Sequence, residues 1–401
     1  MRILQVTRRY APEVIGGYER NCQVFSEEWV RRGHDVAVLT RAPAADRPAA
    51  SVDGVHVFRE LADLPTNRNL HGVGSRVYQL RIAAANRRAR GRTRQVLRHW
   101  QPDAVVFWGM NSWLVSPVLA THDAGIPCLA DLGDYWLIEA LDMYRPVSAR
   151  RAWYRQRVML GGRLLPDMFR EVWVHSDYMR QRYVDSGLAP ERVRVIPRGL
   201  GPAYLEESPR RQESTGPVRI LCVGRLVPDK GARVLAEAFT ALRRHTGDVE
   251  LHFYGDSWDW YRRDLENDCR RAGLLDKGIF IHERVPPERM QELYASHDIL
   301  AFPVLWNEPS SNVLIEAMAM RLPIVASATG SNGEFVQSGE TGFLVPPNDA
   351  ALLAQRLGQL CGDAALRLRM GETARQRVLA RHRPEQVFDA NEARLQMFGS
   401  A

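Results

Sequence analysis

Short apolar runs alternate with stretches of helical periodicity along this chain, and the alternation happens twice. In the first half the apolar runs fall at 3–7, 36–40, 55–58, 104–108, 127–132, 171–176 and 193–197. Helical patterns lie between most of them, beginning with 18–32, which stops at Gly33. Apolar runs separated by helices predict parallel strands covered on both faces. The loop after the first run reaches Gly16 and Gly17 before its helix begins, as at the opening of a doubly wound α/β domain. Residues 199–217 are rich in Pro, Ser, Gly and charge and read as an interdomain linker. The pattern then restarts, with runs at 218–223, 249–254, 279–282, 299–302, 323–326 and 343–345. Helices are expected over 349–381 and again from Pro384 to the end.

A chain of 401 residues exceeds what one core usually supports, so two domains are expected. The first spans 1–200, the linker 201–217 and the second 218–383, with a final helix over 384–401 packing back on the first. No apolar run approaches the roughly 18 residues of a membrane span. The start, MRILQVTRRY, lacks the apolar core of a signal peptide, so a cytoplasmic protein is expected. Five cysteines without a CxxC pair read as reduced thiols.

Charge changes this picture in two places. Residues 1–200 carry 30 Arg against 20 acids, a net +10 of the chain's +7, so any basic surface belongs to the first half. Eight arginines and no acid fall between Ser75 and Arg98, interleaved with Val77, Leu80, Ile82, Val96 and Leu97. Such a helix suits an anionic lipid surface at the inner membrane face or an anionic acceptor; equally it is the exposed face of an Arg-rich protein. Lysine occurs only at Lys230 and Lys277, which makes each position informative.

The stretch 300–327 reads LAFPVLWNEPSSNVLIEAMAMRLPIVAS. A helix is expected to start near Pro309, with Ser310, Ser311 and Asn312 capping its amides. Glu308 precedes that helix and Glu316 lies two turns into it, so both can face a ligand at its N-terminus, where free N–H groups suit a phosphate. The plainer alternative is a solvated loop carboxylate and a helix carboxylate that happen to be near each other. A second loop, GRLVPDKG from Gly224 to Gly231, follows the first strand of the second half. Arg225 can fork onto a phosphate there, and Lys230 supplies a point charge. Both loops leave the carboxyl ends of strands, where open α/β sheets bind ligands.

With these residues the chain resembles glycosyltransferases of the large retaining family 4, also called glycosyl transferases group 1. The features run almost end to end: the 12–20 loop with GGYER, RRGHDV, RVRVIPRGL, GRLVPDKG, the Glu308 and Glu316 pair, and SGETGFLVPPND. The resemblance implies a GT-B fold of two facing Rossmann-like doubly wound domains. It implies that Arg225 and Lys230 hold the diphosphate of a nucleotide-sugar donor. Glu308 would contact sugar hydroxyls, Glu316 the ribose, and backbone amides around Ser311, Asn312 and Val313 the donor. Gly16 and Gly17 would let the first loop approach the donor phosphate and acceptor; Gly224 belongs to the phosphate loop, and Gly255 would lie under the base.

Two positions depart from the family pattern. Many relatives place a histidine before Asp-Tyr-Trp, where this chain has Gly133 in DLGDYW. Asp131, Asp134 and Tyr135 are the acceptor-side candidates, and Asp134 the one expected to share catalysis with Glu308, Arg225 and Lys230; Asp131 and Asp134 read equally well as helix caps. Arg321 stands where relatives usually have glycine, either to end the helix differently or to place a cation at its C-terminus. No histidine spacing suggests a metal, and the acidic triplet at Glu266–Asp268 falls in a helical pattern.

The expected activity is transfer of a sugar, with retention, from a nucleoside diphosphate sugar to an acceptor hydroxyl in glycan, glycolipid or natural-product biosynthesis. A UDP-sugar is the expected donor, with GDP and dTDP as alternatives. The acceptor is a sugar, a lipid-linked molecule or a small molecule; no cofactor, metal or nucleic acid is called for. Rival readings are a nucleotide-sugar epimerase and, because of Gly133, a non-catalytic partner subunit.

Overall fold

A computed structural model describes residues 1–12, 17–41, 51–61, 76–110, 114–142, 148, 153–206 and 216–399. The chain divides into two compact units, Met1–Ile196 with Phe388–Ala401, and Pro197–Val387. The first division falls ahead of the stretch read as a linker. Within that stretch, Leu200 N donates to His382 O, and the Arg375 guanidinium bonds the carbonyls of Tyr204, Leu205 and Glu206, so 197–206 is an ordered edge of the second unit. Residues 207–215, the rest of the expected linker, lie outside the described residues.

In the first unit, strands β1 (Arg2–Val6), β2 (Asp35–Arg41), β3 (Ser51–Val52), β4 (Val55–Leu61), β5 (Ala104–Phe107), β6 (Cys128–Leu132), β7 (Phe169–Val174) and β8 (Val193–Val195) form one sheet. Its order is β3-β4-β2-β1-β5-β6-β7-β8. Every pairing is parallel except β3 with β4, a two-residue edge too short to register as an apolar run. Helix Gly17–Arg31 buries Cys22, Phe25, Ser26 and Trp29. The last helix, Pro384–Gln396, begins in the second unit, and its residues from Phe388 onward belong to the first. There the Arg394 guanidinium pairs with Glu171, and Phe388 meets Phe25 edge-on with ring centroids 4.9 Å apart.

The second unit contains β9 (Val218–Val223), β10 (Val249–Tyr254), β11 (Ile279–His282), β12 (Ile299–Phe302), β13 (Ile324–Ser327) and β14 (Gly342–Val345), in the order β11-β10-β9-β12-β13-β14. All pairings are parallel. Side chains alternate across such a sheet, and its two cores follow that alternation. Ile220, Leu251, Phe253, Ile299, Ala301 and Val325 pack on one face with Leu235, Phe239, Leu265 and Leu357. Leu221, Leu300, Phe302, Ile324 and Ala326 pack on the other with Tyr294, Leu314, Met318 and Val378. The expected helical span 349–381 is two helices, Ala350–Gly362 and Ala364–Arg381, each capped by an aspartate, Asp349 on Leu352 N and Asp363 on Leu366 N.

The order of this second sheet places the candidate site. The chain moves outward from β9 through β10 to β11, then returns to the other side of β9 as β12. At this switch point the loops after β9 and β12 diverge and leave a crevice at the carboxyl ends of the strands. Among the described residues no helix is long and apolar enough to cross a membrane.

Candidate active site

The loop after β9 carries Gly224 to Gly231, and the loop after β12 carries Glu308. Across the switch point Lys230 Nζ lies 2.6 Å from Glu308 Oε2, with the lysine side chain 20% and the glutamate side chain 10% exposed. The same oxygen accepts the Trp306 indole N–H at 2.8 Å. Leu305 N donates to Asp229 O at 2.8 Å, joining the two loops through the backbone as well. Arg225 is exposed beside them and bonds neither carboxylate of the site among the described residues.

Close backbone approaches hold these loops in place. Gly255, just after β10, sits at φ 150°, and a Cβ there would run into the Gly224 carbonyl, so the loops after β9 and β10 touch backbone to backbone. Gly330, at φ 53°, lies against the backbone of Glu308, whose carbonyl accepts from Ser331 N at 2.8 Å. Any side chain at Gly330 would displace Glu308. Burial pushes the Cys222 thiol on β9 up to about 12 despite nearby Lys230, so it stays protonated and supplies no thiolate.

The helix after this loop is Asn312–Ala319, three residues later than expected, because Pro309, Ser310 and Ser311 remain outside the helical conformation. Ser311 is its N-cap residue, but its side chain makes no capping bond, contrary to the expected serine cap. The first-turn amides of Asn312 and Val313 are therefore not capped by that hydroxyl. Asn312 Oδ1 accepts instead from Arg198 Nη1 at 3.2 Å. Glu316 Oε2 accepts the Tyr294 hydroxyl at 2.9 Å. Burial and the neighbouring carboxylate keep that phenol protonated, raising it well above the ordinary tyrosine value. Glu308 and Glu316 thus have separate partners, which fixes each side chain independently. At the far end, Arg321 takes φ 61° and its Nε lies 2.9 Å from Glu372 Oε2. It both ends the helix in the left-handed region and places a cation there.

The acceptor-side candidates lie in the first unit. Asp131, the second-last residue of β6, is 2% exposed, and its Oδ1 lies 2.9 Å from His175 Nε2, at ion-pair distance but off hydrogen-bond alignment. His175 Nδ1 faces the Ile196 carbonyl at 2.9 Å. The Asp131 carboxylate is therefore buried against His175, neither capping a helix nor open to a ligand. Asp134 is half-buried; its Oδ1 accepts from Trp136 N at 3.3 Å, a long turn bond at the start of helix Trp136–Asp142, and its carbonyl accepts the Tyr183 hydroxyl at 2.8 Å. Tyr135 packs against the core. At Gly133 the backbone N–H donates to the Tyr18 hydroxyl at 2.9 Å, and that hydroxyl donates to the Asp131 carbonyl. Gly17 opens the helix that carries Tyr18, whereas Gly16 lies outside the described residues.

Four contributors escaped the sequence reading: Trp306, Tyr294, Gly330 and Tyr18. Trp306 had a usable signal, an indole two residues before a singled-out carboxylate. The others act across 22 or more residues of chain, where no local pattern points. Among the described residues no group of three or more His, Cys, Asp and Glu is arranged to hold a metal ion. In helix Asp259–Arg271, Glu266 is engaged by Arg262, and Asp268 by Arg271 and by Arg233 of helix Ala232–Arg243. An open groove of about 850 Å³ runs along helix Ala232–Arg243, lined by Arg233, Glu237, Trp260 and Leu305 among others; neither Lys230 nor Glu308 lines it.

Two family descriptions match in chain order, a glycosyl transferase 4-like domain over 16–199 and glycosyl transferases group 1 over 217–363. The chain belongs to the group 1 glycosyltransferases, with the GT-B fold. A glycogen synthase of Mycobacterium tuberculosis is 29% identical over 398 residues, covering 94% of this chain and 90% of the relative. Among solved structures, sucrose-phosphate synthase of Thermosynechococcus elongatus superposes with a TM-score of 0.77 at 19% identity, covering 100% of both chains. Anabaena Alr3699/HepE in complex with UDP-glucose gives a TM-score of 0.72 at 20% identity, covering 99% of this chain and 100% of that one.

Proposed function

We propose that the protein transfers a sugar, with retention, from a UDP-sugar to an acceptor hydroxyl. The observation that carries this reading is the Lys230–Glu308 contact at the switch point of the second sheet, a cation beside a carboxylate, which supports phosphates held by the first and sugar hydroxyls by the second. UDP is the first base to test, because a solved structure of the same fold is described as holding UDP-glucose. Arg225 and Lys230 take the diphosphate, with the amides at the start of helix Asn312–Ala319 facing it. Glu308 takes sugar hydroxyls and Glu316 the ribose, with Gly224 in the phosphate loop and Gly255 under the base.

In this reading the bond from the anomeric carbon to the diphosphate oxygen breaks, and the diphosphate leaves with the electron pair. Arg225, Lys230 and the helix N-terminus stabilise the growing negative charge without reorganising. The acceptor oxygen bonds to the anomeric carbon on the face the diphosphate leaves, and its proton passes to a diphosphate oxygen. Asp134, partly accessible in the first unit, is the acceptor-side carboxylate of the proposal.

The reading also includes a peripheral contact with anionic membrane. Helix Arg76–Trp100 exposes Val77 at 62% and Leu80 at 59%, followed on the same helix by exposed Arg81, Arg87, Arg88 and Arg98. Apolar side chains entering the headgroup layer beside arginines on phosphates match how interfacial helices bind. Asp123 engages Arg90 and Arg94, and Glu60 engages Arg92.

A panel of UDP-, GDP- and dTDP-sugars, scored by thermal shift and by donor consumption with and without acceptors, tests the activity. A true donor raises the melting temperature by mass action. NMR of the product then reads the anomeric configuration. Conversion of the donor to an isomer without acceptor would replace transfer by epimerisation, and no shift with any donor would overturn the reading.

A further inference from the structure

Trp306 stands between the two charged groups of the site and has no part in the roles assigned above. We propose that Trp306 is a positioning residue that keeps the Glu308 carboxylate aimed at the donor sugar while Lys230 turns to the diphosphate; this rests on the donor reading of the site. Its indole N–H donates to Glu308 Oε2 at 2.8 Å, and Lys230 Nζ reaches the same oxygen at 2.6 Å. Lys230 Nζ also lies 4.9 Å from the centroid of the Trp306 ring. One side chain thus touches the anion through its N–H and the cation through its π face.

The consequence follows from what a diphosphate does on arrival. Its charge draws the Lys230 ammonium, so the 2.6 Å contact weakens or is shared. A glutamate held by lysine alone would then regain rotamer freedom when its carboxylate is needed. The indole N–H is a donor only and has no competing phosphate charge to follow, so its bond to Oε2 persists whichever partner Lys230 takes. Trp306 is itself fixed, packed against the core of the second unit. Gly330 lies against the Glu308 backbone, so with Oε2 tied little movement is left. Oε1 carries no hydrogen bond among the described residues and is the oxygen offered to a sugar hydroxyl.

The test separates the sugar half of the donor from the nucleotide half. UDP and UDP-glucose are titrated calorimetrically against the full chain and against Trp306→Phe, which keeps a ring under Lys230 but removes the N–H. The expected result is UDP affinity within about twofold of the parent and UDP-glucose binding weaker by about tenfold, the effect of losing one bond to a charged group. Glu308→Gln is expected to give a similar loss, and the double variant little more than either alone. Trp306→Leu, apolar and without any hydrogen-bond donor, provides the same ratio if the phenylalanine variant does not fold. A role in packing alone would lower both affinities together and leave their ratio unchanged. That result, in a variant with the parent's melting temperature and a parent that binds both ligands, overturns the role of Trp306 alone. A parent that binds no UDP-, GDP- or dTDP-sugar overturns the donor reading, and this inference with it.

Discussion

Lys230 and Glu308, 78 positions apart in the chain, meet at 2.6 Å between the loops that leave β9 and β12. The lysine is one of two in the chain. Without a ligand each group neutralises the other, which spares the half-buried crevice two uncompensated charges. In the proposed donor reading a diphosphate shares in that contact, so the pair would couple the phosphate half of the site to the sugar half.

Replacing Lys230 by alanine is expected to cost about 3 kcal/mol of stability, because it strands a largely buried carboxylate. Removing both partners in Lys230→Ala/Glu308→Ala should cost less than the sum of the single variants by at least about 1 kcal/mol. Denaturant titration of the four proteins reads this coupling. Additive losses would show that the contact contributes nothing. For turnover, Lys230→Ala should reduce kcat/KM by about 100- to 1,000-fold through lost charge stabilisation.

The first unit should loosen in acid where its last helix docks. Arg32 lies 2.7 Å from Glu28, 2.6 Å from Glu392 and 2.7 Å from Asp389. The hydrogen bond from Arg32 holds Glu392 below the ordinary value of 4.5, and hydrogen bonds from Arg31 and then Arg32 do the same for Glu28 against the opposing effect of burial. A depressed folded value stabilises the fold above the unfolded value, and that stabilisation is lost as pH falls through the depressed one. Protection of the 388–396 amides, their exchange relative to the unfolded chain at the same pH, should therefore hold above pH 4.5 and fall below it. Glu392→Gln should blunt that pH dependence, and equal dependence in both proteins would refute the assignment.

The basic helix should bind vesicles of anionic lipid and leave neutral ones alone. Neutralising Arg87 and Arg88 together is expected to weaken sedimentation with phosphatidylglycerol vesicles by about 2 kcal/mol, with the effect shrinking as salt rises. Val77→Glu/Leu80→Glu should weaken it as well while leaving turnover of a soluble acceptor unchanged. Equal binding to neutral vesicles, or no loss in either variant, would remove the membrane from the proposal.

Much of the fold was legible because each strand of a covered parallel sheet is its own apolar run. The runs at 218–223, 249–254, 279–282 and 299–302 coincide with β9 to β12, and their two-residue alternation feeds the two cores. Boundaries were less legible where polar residues have local alternatives. Ser310 and Ser311 can cap a helix in principle, yet the helix begins only at Asn312, and Ser311 makes no cap. Asp131 looked like a cap or an acceptor ligand, and burial against His175 gives it another setting.

For the site, a scarce lysine in a glycine-bounded loop and two carboxylates around a helix start mark Lys230, Glu308 and Glu316, since charge and turn chemistry are local properties. The pairing of Lys230 with Glu308 rather than Glu316 is not local. It depends on β12 returning to lie beside β9, which brings two distant loops to one crevice. Trp306 on Glu308, Tyr294 on Glu316, and the Tyr18 hydroxyl between the Asp131 carbonyl and the Gly133 amide arise the same way. A hydrogen bond needs both partners within about 3 Å. Residue type supplies the partners, and only the packed order of strands and helices supplies the distance.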